Sequence, residues 1–185
     1  MDPALIPESH QDAIDHPEKY PWHSASSGLR EMAELSREEH VGLIRAFSTL
    51  EEPIDFFIVD TAAGISDMVL SFARAAQDIL MVVCNEPTSI ADAYAQMKIL
   101  SKDYHCNKFK IIANQVKSLE EGKNMYQKLV AVTDQFLDVT LELVACIPVD
   151  INMKKSIRKR SCVVEAFPQS PAARAFKSLA LRAKT

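Results

Sequence analysis

Asp60, Asn114 and the pair Pro148 and Asp150 each follow a short apolar run, the placement from which side chains at the ends of strands meet a ligand. The string Phe57, Ile58, Val59, Asp60 ends an apolar stretch in a carboxylate, and the small residues Thr61, Ala62, Ala63 and Gly64 follow it. Mg2+ bound to a nucleotide keeps several of its waters, and a carboxylate fixed on a strand end can hold one of them. Gly64 has the backbone freedom that a loop approaching and leaving a phosphate requires. The same pattern also describes a strand that ends in an ordinary acidic turn residue. Asn114 closes the run 109–113, and its amide, both donor and acceptor, complements an adenine edge. A strand-end Asn is equally a turn former. Pro148 and Asp150 end the run 141–147 on stiff backbone that either flanks a base or turns the chain. After the run 79–84, Pro87 stops a strand and Thr88 or Ser89 can cap the helix that follows.

Other clusters say less about chemistry. Lys154, Lys155, Arg158, Lys159 and Arg160 place five cations in seven residues, a pairing site for phosphate or an acidic partner, or a solvated helix face. His10, His16 and His23 match no compact ligand spacing. Cys84, Cys106, Cys146 and Cys162 form no CxxC or His-paired pattern, and Cys84 and Cys146 lie in apolar runs where a thiol acts as a small hydrophobe. Reduced, structural cysteines are expected.

The elements that would hold these residues alternate. The runs 54–59, 79–84, 109–113 and 141–147 are apolar throughout, as strands covered on both faces of a parallel sheet are. Between them, Ile90, Ala93, Tyr94, Met97 and Leu100 make one helical stripe, and Met125, Tyr126, Leu129, Val132 and Phe136 another. A capping box at Ser118 and Glu121 opens the second stripe, and a similar one at Ser36 and Glu39 opens an earlier helix that Pro53 closes. Ser170 and Pro171 start a last helix with Phe176, Leu179 and Ala183 facing inward. Strands joined through helices in this way build βαβ crossovers. The expected fold class is α/β: a doubly wound, mostly parallel sheet.

Bulk properties agree with one globular domain. Of 185 residues, 48% are hydrophobic and 25% charged, with a mean hydropathy near zero. A net charge of -4 argues against a general nucleic-acid binder. Residues 1–52 carry 11 acidic against 4 basic side chains, so the rest of the chain is net basic. Residues 1–24, with Pro3, Pro7, Pro17 and Pro21 and no helical or strand period, read as an irregular leader, and 25–185 as the α/β domain. No signal peptide and no membrane span is legible, which points to the cytoplasm.

Taken together, the loops resemble one family. Ile-Val-Asp-Thr-Ala-Ala-Gly-Ile-Ser (58–66) is similar to the Walker B and switch II segment of FleN/FlhG flagellar-number regulators, which are MinD/ParA-type P-loop ATPases. Ser-Phe-Ala-Arg-Ala-Ala-Gln (71–77), Val-Cys-Asn-Glu-Pro-Thr-Ser-Ile-Ala-Asp-Ala-Tyr (83–94) and Arg-Ser-Cys-Val-Val-Glu-Ala-Phe-Pro-Gln-Ser (160–170) extend the likeness over most of the chain from about residue 25. The resemblance implies that Asp60 holds Mg2+ through water, that Gly64 belongs to the nucleotide-sensing switch, and that Asn114 reads adenine with Pro148 and Asp150 beside the base. It implies ATP and Mg2+ as cofactors, a homodimer, an AAA+ flagellar transcription activator of FleQ/FlrA type as a partner, and an FlhF-type GTPase as a second.

Two departures shape the expectation for this chain. The family's phosphate loop is a Lys-Gly-Gly-x-Gly-Lys-Thr form of Walker A. Here the glycines are only Gly28, Gly42, Gly64 and Gly122, with no Gly-Lys-Ser/Thr anywhere. That loop supplies the N–H cradle, a lysine on the phosphates and a hydroxyl on Mg2+. The expected domain is therefore a truncated P-loop fold that regulates without hydrolysing ATP; the alternative is the C-terminal part of an active ATPase. Loss of the first strand and its helix is expected to leave apolar sheet surface uncovered. The chain ends Leu181, Arg182, Ala183, Lys184, Thr185 where family members continue into a membrane-targeting helix, so membrane binding is not expected.

Overall fold

The computed structural model describes residues 56–61 and 63–183, and three parallel strands order everything within them. In chain order the elements are α1 (Asp67–Ala75), β1 (Leu80–Cys84), α2 (Pro87–Tyr104), β2 (Lys108–Val116), α3 (Leu119–Phe136), β3 (Thr140–Pro148), α4 (Ile151–Arg158), α5 (Val163–Ala166) and α6 (Pro171–Arg182). The sheet order is β1-β2-β3, with Leu80 opposite Lys110 and Lys108 opposite Thr140. The leader, the earlier capping box and the three leader histidines lie outside the described residues.

β2 is buried from both sides because it is paired on both edges and faced by helices above and below. Phe109, Ile111 and Ala113 join Met81 and Val83 of β1 under Leu70 of α1, Met97 and Leu100 of α2, and Met125 and Leu129 of α3. Each of the larger side chains contributes about 1.5–3 kcal/mol by leaving water. On the opposite face Ile112, Val144 and Ile147 pack against Ala172 of α6, with Met153, Phe176 and Leu179 around them. Helices thus lie on both faces of the sheet, the doubly wound arrangement.

Three local readings are corrected. Residues 56–61 are irregular and mostly exposed rather than a strand; Ile58 is 82% exposed. A strand needs a neighbour for its N–H and C=O groups, and none of the described strands pairs with this stretch. β1 is covered on one face only: Leu80 and Val82 are 47% and 60% exposed, because α6 reaches β2 and β3 but not β1. In the helices, Val132, Phe136 and Ala183 face outward, while Thr133 is buried and satisfies its hydroxyl on the carbonyls of Leu129 and Val130.

Helix ends are set locally. Ser66, Ser118 and Ser170 each accept a hydrogen bond from an N–H in the first turn of α1, α3 and α6. α2 ends at His105 in the left-handed region (φ 60°), with the Cys106 N–H returning to the Leu100 carbonyl. All four cysteines are free, and burial raises the thiol pKa of Cys84 and Cys146.

Gly122 lets α3 approach the sheet closely. A Cβ there would stand 2.6 Å from the Cys146 Sγ and 3.4 Å from the Ala113 Cβ. Gly122→Ala gains helix propensity but overpacks this contact, and the expected net loss is about 1–2 kcal/mol. A thermal melt of the variant checks this; an unchanged or higher Tm would show that the helix can rise off the strand without penalty.

Candidate functional site

The carboxyl ends of the three strands share one edge. Asn114 sits opposite Cys84, Val116 sits opposite Pro148, and the Val149 N–H continues the pairing to the Val116 carbonyl at 2.9 Å. A bulge between Ala113 and Val116 puts Gln115 in the left-handed region (φ 55°), so β2 turns as it leaves the sheet. Beside this turn a cleft of 270 Å³ opens between the starts of α3 and α6. Val116, Cys146 and Pro148 form its floor, Ser118 and Leu119 one wall, and Pro171 and Ala175 the other.

Two carboxylates brace this edge. Asp150 is the N-cap of α4, accepting from the Asn152 N–H at 2.8 Å, and it also accepts from the Ala172 N–H in the first turn of α6 at 3.0 Å. Burial opposes its ionisation, but the N–H groups of Ala172 and Asn152, aided by the Ser170 and Asn152 side chains, hold the carboxyl below the ordinary carboxylate range. Glu121 accepts from the Lys117 N–H and from the Asn85 amide at 2.9 Å, which ties the tip of β1 to the start of α3. The Lys117 bond first, then the Asn85 bond, lowers its pKa. The capping box expected at Ser118 is present in modified form, since Glu121 reaches back one residue beyond the cap itself. The α2 cap is Glu86 rather than Thr88 or Ser89, and the Ser89 hydroxyl instead accepts from the Cys84 N–H at 3.0 Å.

Of the residues singled out by sequence, Asn114, Pro148 and Asp150 therefore meet at one edge. Gly64 lies elsewhere: its carbonyl accepts from the Gln96 amide, which is about 14 Å along α2 from the helix start at the strand tips. Gly64 does use its freedom, with φ 113°. Asp60 stands four residues earlier in exposed, irregular backbone. No group of three or more His, Cys, Asp or Glu side chains suited to a metal occurs among the described residues. Asn114 and Pro148 thus share this edge, and the apolar cleft beside it is lined by Pro148 but not by Asn114. Among the described residues no glycine-rich loop ending in Lys-Ser/Thr, the cradle that a triphosphate with Mg2+ needs, stands at this edge. Leu119 and Pro171 also line the cleft, and the signal for them in the sequence is that each stands at the start of a helix.

Solved structures share this architecture. The MinD cell division protein of Aquifex aeolicus superposes with a TM-score of 0.63 at 22% identity, over 80% of this chain and 61% of that one. The septum site-determining protein MinD of Pyrococcus horikoshii, complexed with Mg-ADP, gives 0.58 at 19% identity, over 81% and 57%. The fold is that of the MinD-like P-loop NTPases. No protein-family model matches the chain. Among curated proteins, the antiactivator FleN of Pseudomonas aeruginosa is 51% identical over 156 residues, 84% of this chain and 56% of FleN. The flagellum site-determining protein YlxH of Helicobacter pylori is 30% identical over 116 residues, 62% of this chain and 39% of YlxH. The chain belongs to the FleN/FlhG group of the MinD-like family. It spans about half the length, or less, of these curated relatives.

Asp150→Ala removes the shared acceptor of two helix starts and is expected to cost about 1–2 kcal/mol at neutral pH. Because the folded carboxyl titrates below its free value, this stabilisation is complete above roughly pH 4 and is lost as pH falls through the folded pKa. Urea denaturation of parent and variant from pH 7 downward reads it: the gap between them should narrow below pH 4, and a gap independent of pH would remove the charge from the account.

Proposed function

We propose that the chain is a FleN/FlhG-type regulator of flagellar number and flagellar gene expression that engages its partners without turning over ATP. The observation that carries this is the 51% identity to an antiactivator over 84% of the chain, in a sequence that holds no Gly-Lys-Ser/Thr. Phosphoryl transfer rests on positioning and on charge neutralisation around the phosphates, and an exposed Asp60 supplies neither alone. What these residues supply is recognition of a base. Asn114 presents an amide to an adenine edge, Pro148 and Val149 flank it on stiff backbone, and Asp150 keeps that backbone in place by its bonds to α4 and α6.

The partner in this reading is an AAA+ flagellar transcription activator of FleQ/FlrA type, with an FlhF-type GTPase and a second copy of the chain as further contacts. That FleN is an antiactivator supports the first of these. ATP and Mg2+ are the family's cofactors, and the Pyrococcus MinD holds Mg-ADP. For this chain we place adenine recognition at Asn114 and assign Asp60 and Gly64 no grip on the phosphates. A competing reading is an active ATPase whose phosphate loop lies outside these residues, the chain matching 56% of FleN. An in-frame Gly-Gly-x-Gly-Lys-Thr string in the DNA upstream would decide for it.

Purified chain incubated with Mg-ATP is expected to release no phosphate above buffer, and immobilised chain is expected to retain the activator. If only the base is read, ATP and adenosine compete within about threefold of each other, and Asn114→Ala weakens both. Robust turnover, or a large preference for the triphosphate, would overturn the reading. Failure to retain the activator would leave shared ancestry without the regulatory role.

A further inference from the structure

The basic cluster is not absorbed by the strand-tip site. Lys154, Lys155 and Arg158 lie on the exposed arc of α4, and Lys159 and Arg160 turn away just after it. No carboxylate among the described residues forms an ion pair with any of the five; Lys159 instead rests over the Phe167 ring at 5.1 Å. Lys154 and Arg158 are four apart and Lys155 and Arg158 three apart, spacings at which like charges repel and destabilise the helix that carries them. Two isoleucines share this arc. Ile151 is 62% exposed and Ile157 69% exposed, and Ile151 lies one turn before Lys154 and Lys155. Lys155 and Arg158 sit in the last turn, where a cation meets the negative end of the helix dipole, but that role calls neither for Lys154 beside them nor for exposed Ile151 and Ile157.

We infer that this face of α4 is a docking surface for a short acidic segment of a partner protein, one that carries apolar residues among its carboxylates. Charge complementarity chooses acid, and Ile151 and Ile157 require apolar contacts between the charges. Size chooses a short segment over an extended polyanion. α4 is about 12 Å long, whereas a membrane sheet or a duplex would also face neighbouring residues, and without these five cations residues 53–185 hold 14 acidic against 12 basic side chains. A segment confined to α4 meets Lys154, Lys155 and Arg158 and feels little of the rest, because charges beyond about 8 Å are screened at physiological salt.

The test uses the whole chain and a fluorescein-labelled helical peptide with leucines on one face and glutamates flanking them, read by anisotropy. The peptide is expected to bind and to weaken as salt rises. The pair Lys154→Glu and Lys155→Glu should weaken it roughly tenfold or more, as two reversed contacts of modest strength would. Lys154→Gln with Lys155→Gln should fall between parent and reversal, and Ile151→Ser, which changes no charge, should weaken binding several-fold. Circular dichroism melts verify that the variants fold, and the salt dependence of the parent stands without them. The inference fails if the peptide does not bind, if the variants bind it as the parent does, or if affinity ignores salt. It fails equally if vesicles of phosphatidylcholine and phosphatidylglycerol, or duplex DNA, bind the parent more tightly than the peptide and lose that binding in the reversal.

Discussion

The middle of β2, from Ile111 to Ala113, must be dry on both faces, and the rest of the described structure is arranged to keep it so. Ile111 and Ile112 are neighbours in sequence that point into different cores, one under α2 and α3, the other under α6. A strand of this kind cannot be satisfied by one helix layer. It needs pairing on each edge for its backbone and apolar cover on each side for its side chains. Those demands account for the crossover helices, for the close approach at Gly122, and for the return of the chain through α6 after β3.

The same constraint explains why the strand tips make a site. A parallel strand buried on both sides leaves its covered environment only at its end, and there the chain must turn abruptly into the next helix. β2 does so through a bulge and a left-handed Gln115, β3 through Pro148 and the cap at Asp150. The gap between these two turns is the cleft, and its floor is the last apolar residues of the strands themselves.

How much of this was legible follows from the range of each interaction. β1, β2 and β3 were visible as unbroken apolar runs, and α2 and α3 as stripes at helical spacing, because both signals are periodic over a few residues. α1 is not legible in the sequence although Ser66 caps it and Val69, Leu70 and Phe72 are buried; nine residues hold too few turns for a stripe to stand out. The one-sided cover of β1 could not be read from its composition, since Leu80 and Val82 look no different from Met81 and Val83 until the neighbouring helices are placed. At the site, Asn114 and Pro148 were legible as residues ending strands. The second bond of Asp150 was not, because its donor lies 22 residues onward, and the Asn85 to Glu121 bond spans 36. Asp60 and Gly64 were singled out by local pattern and by resemblance, and their described backbone lies outside the sheet.

One carboxylate holding two helix starts also has a mechanical side. α6 runs from Asp150 at the carboxyl edge to Arg182, whose guanidinium donates to the Val144 carbonyl at 2.9 Å and lies 3.6 Å from Glu142. The helix is therefore a strut of about 18 Å pinned at both ends to β3 or to the loop that leaves it. A tilt of the Val149 loop would therefore act on the first turn of α6 through Asp150, against the hold that Arg182 keeps on Val144 and Glu142.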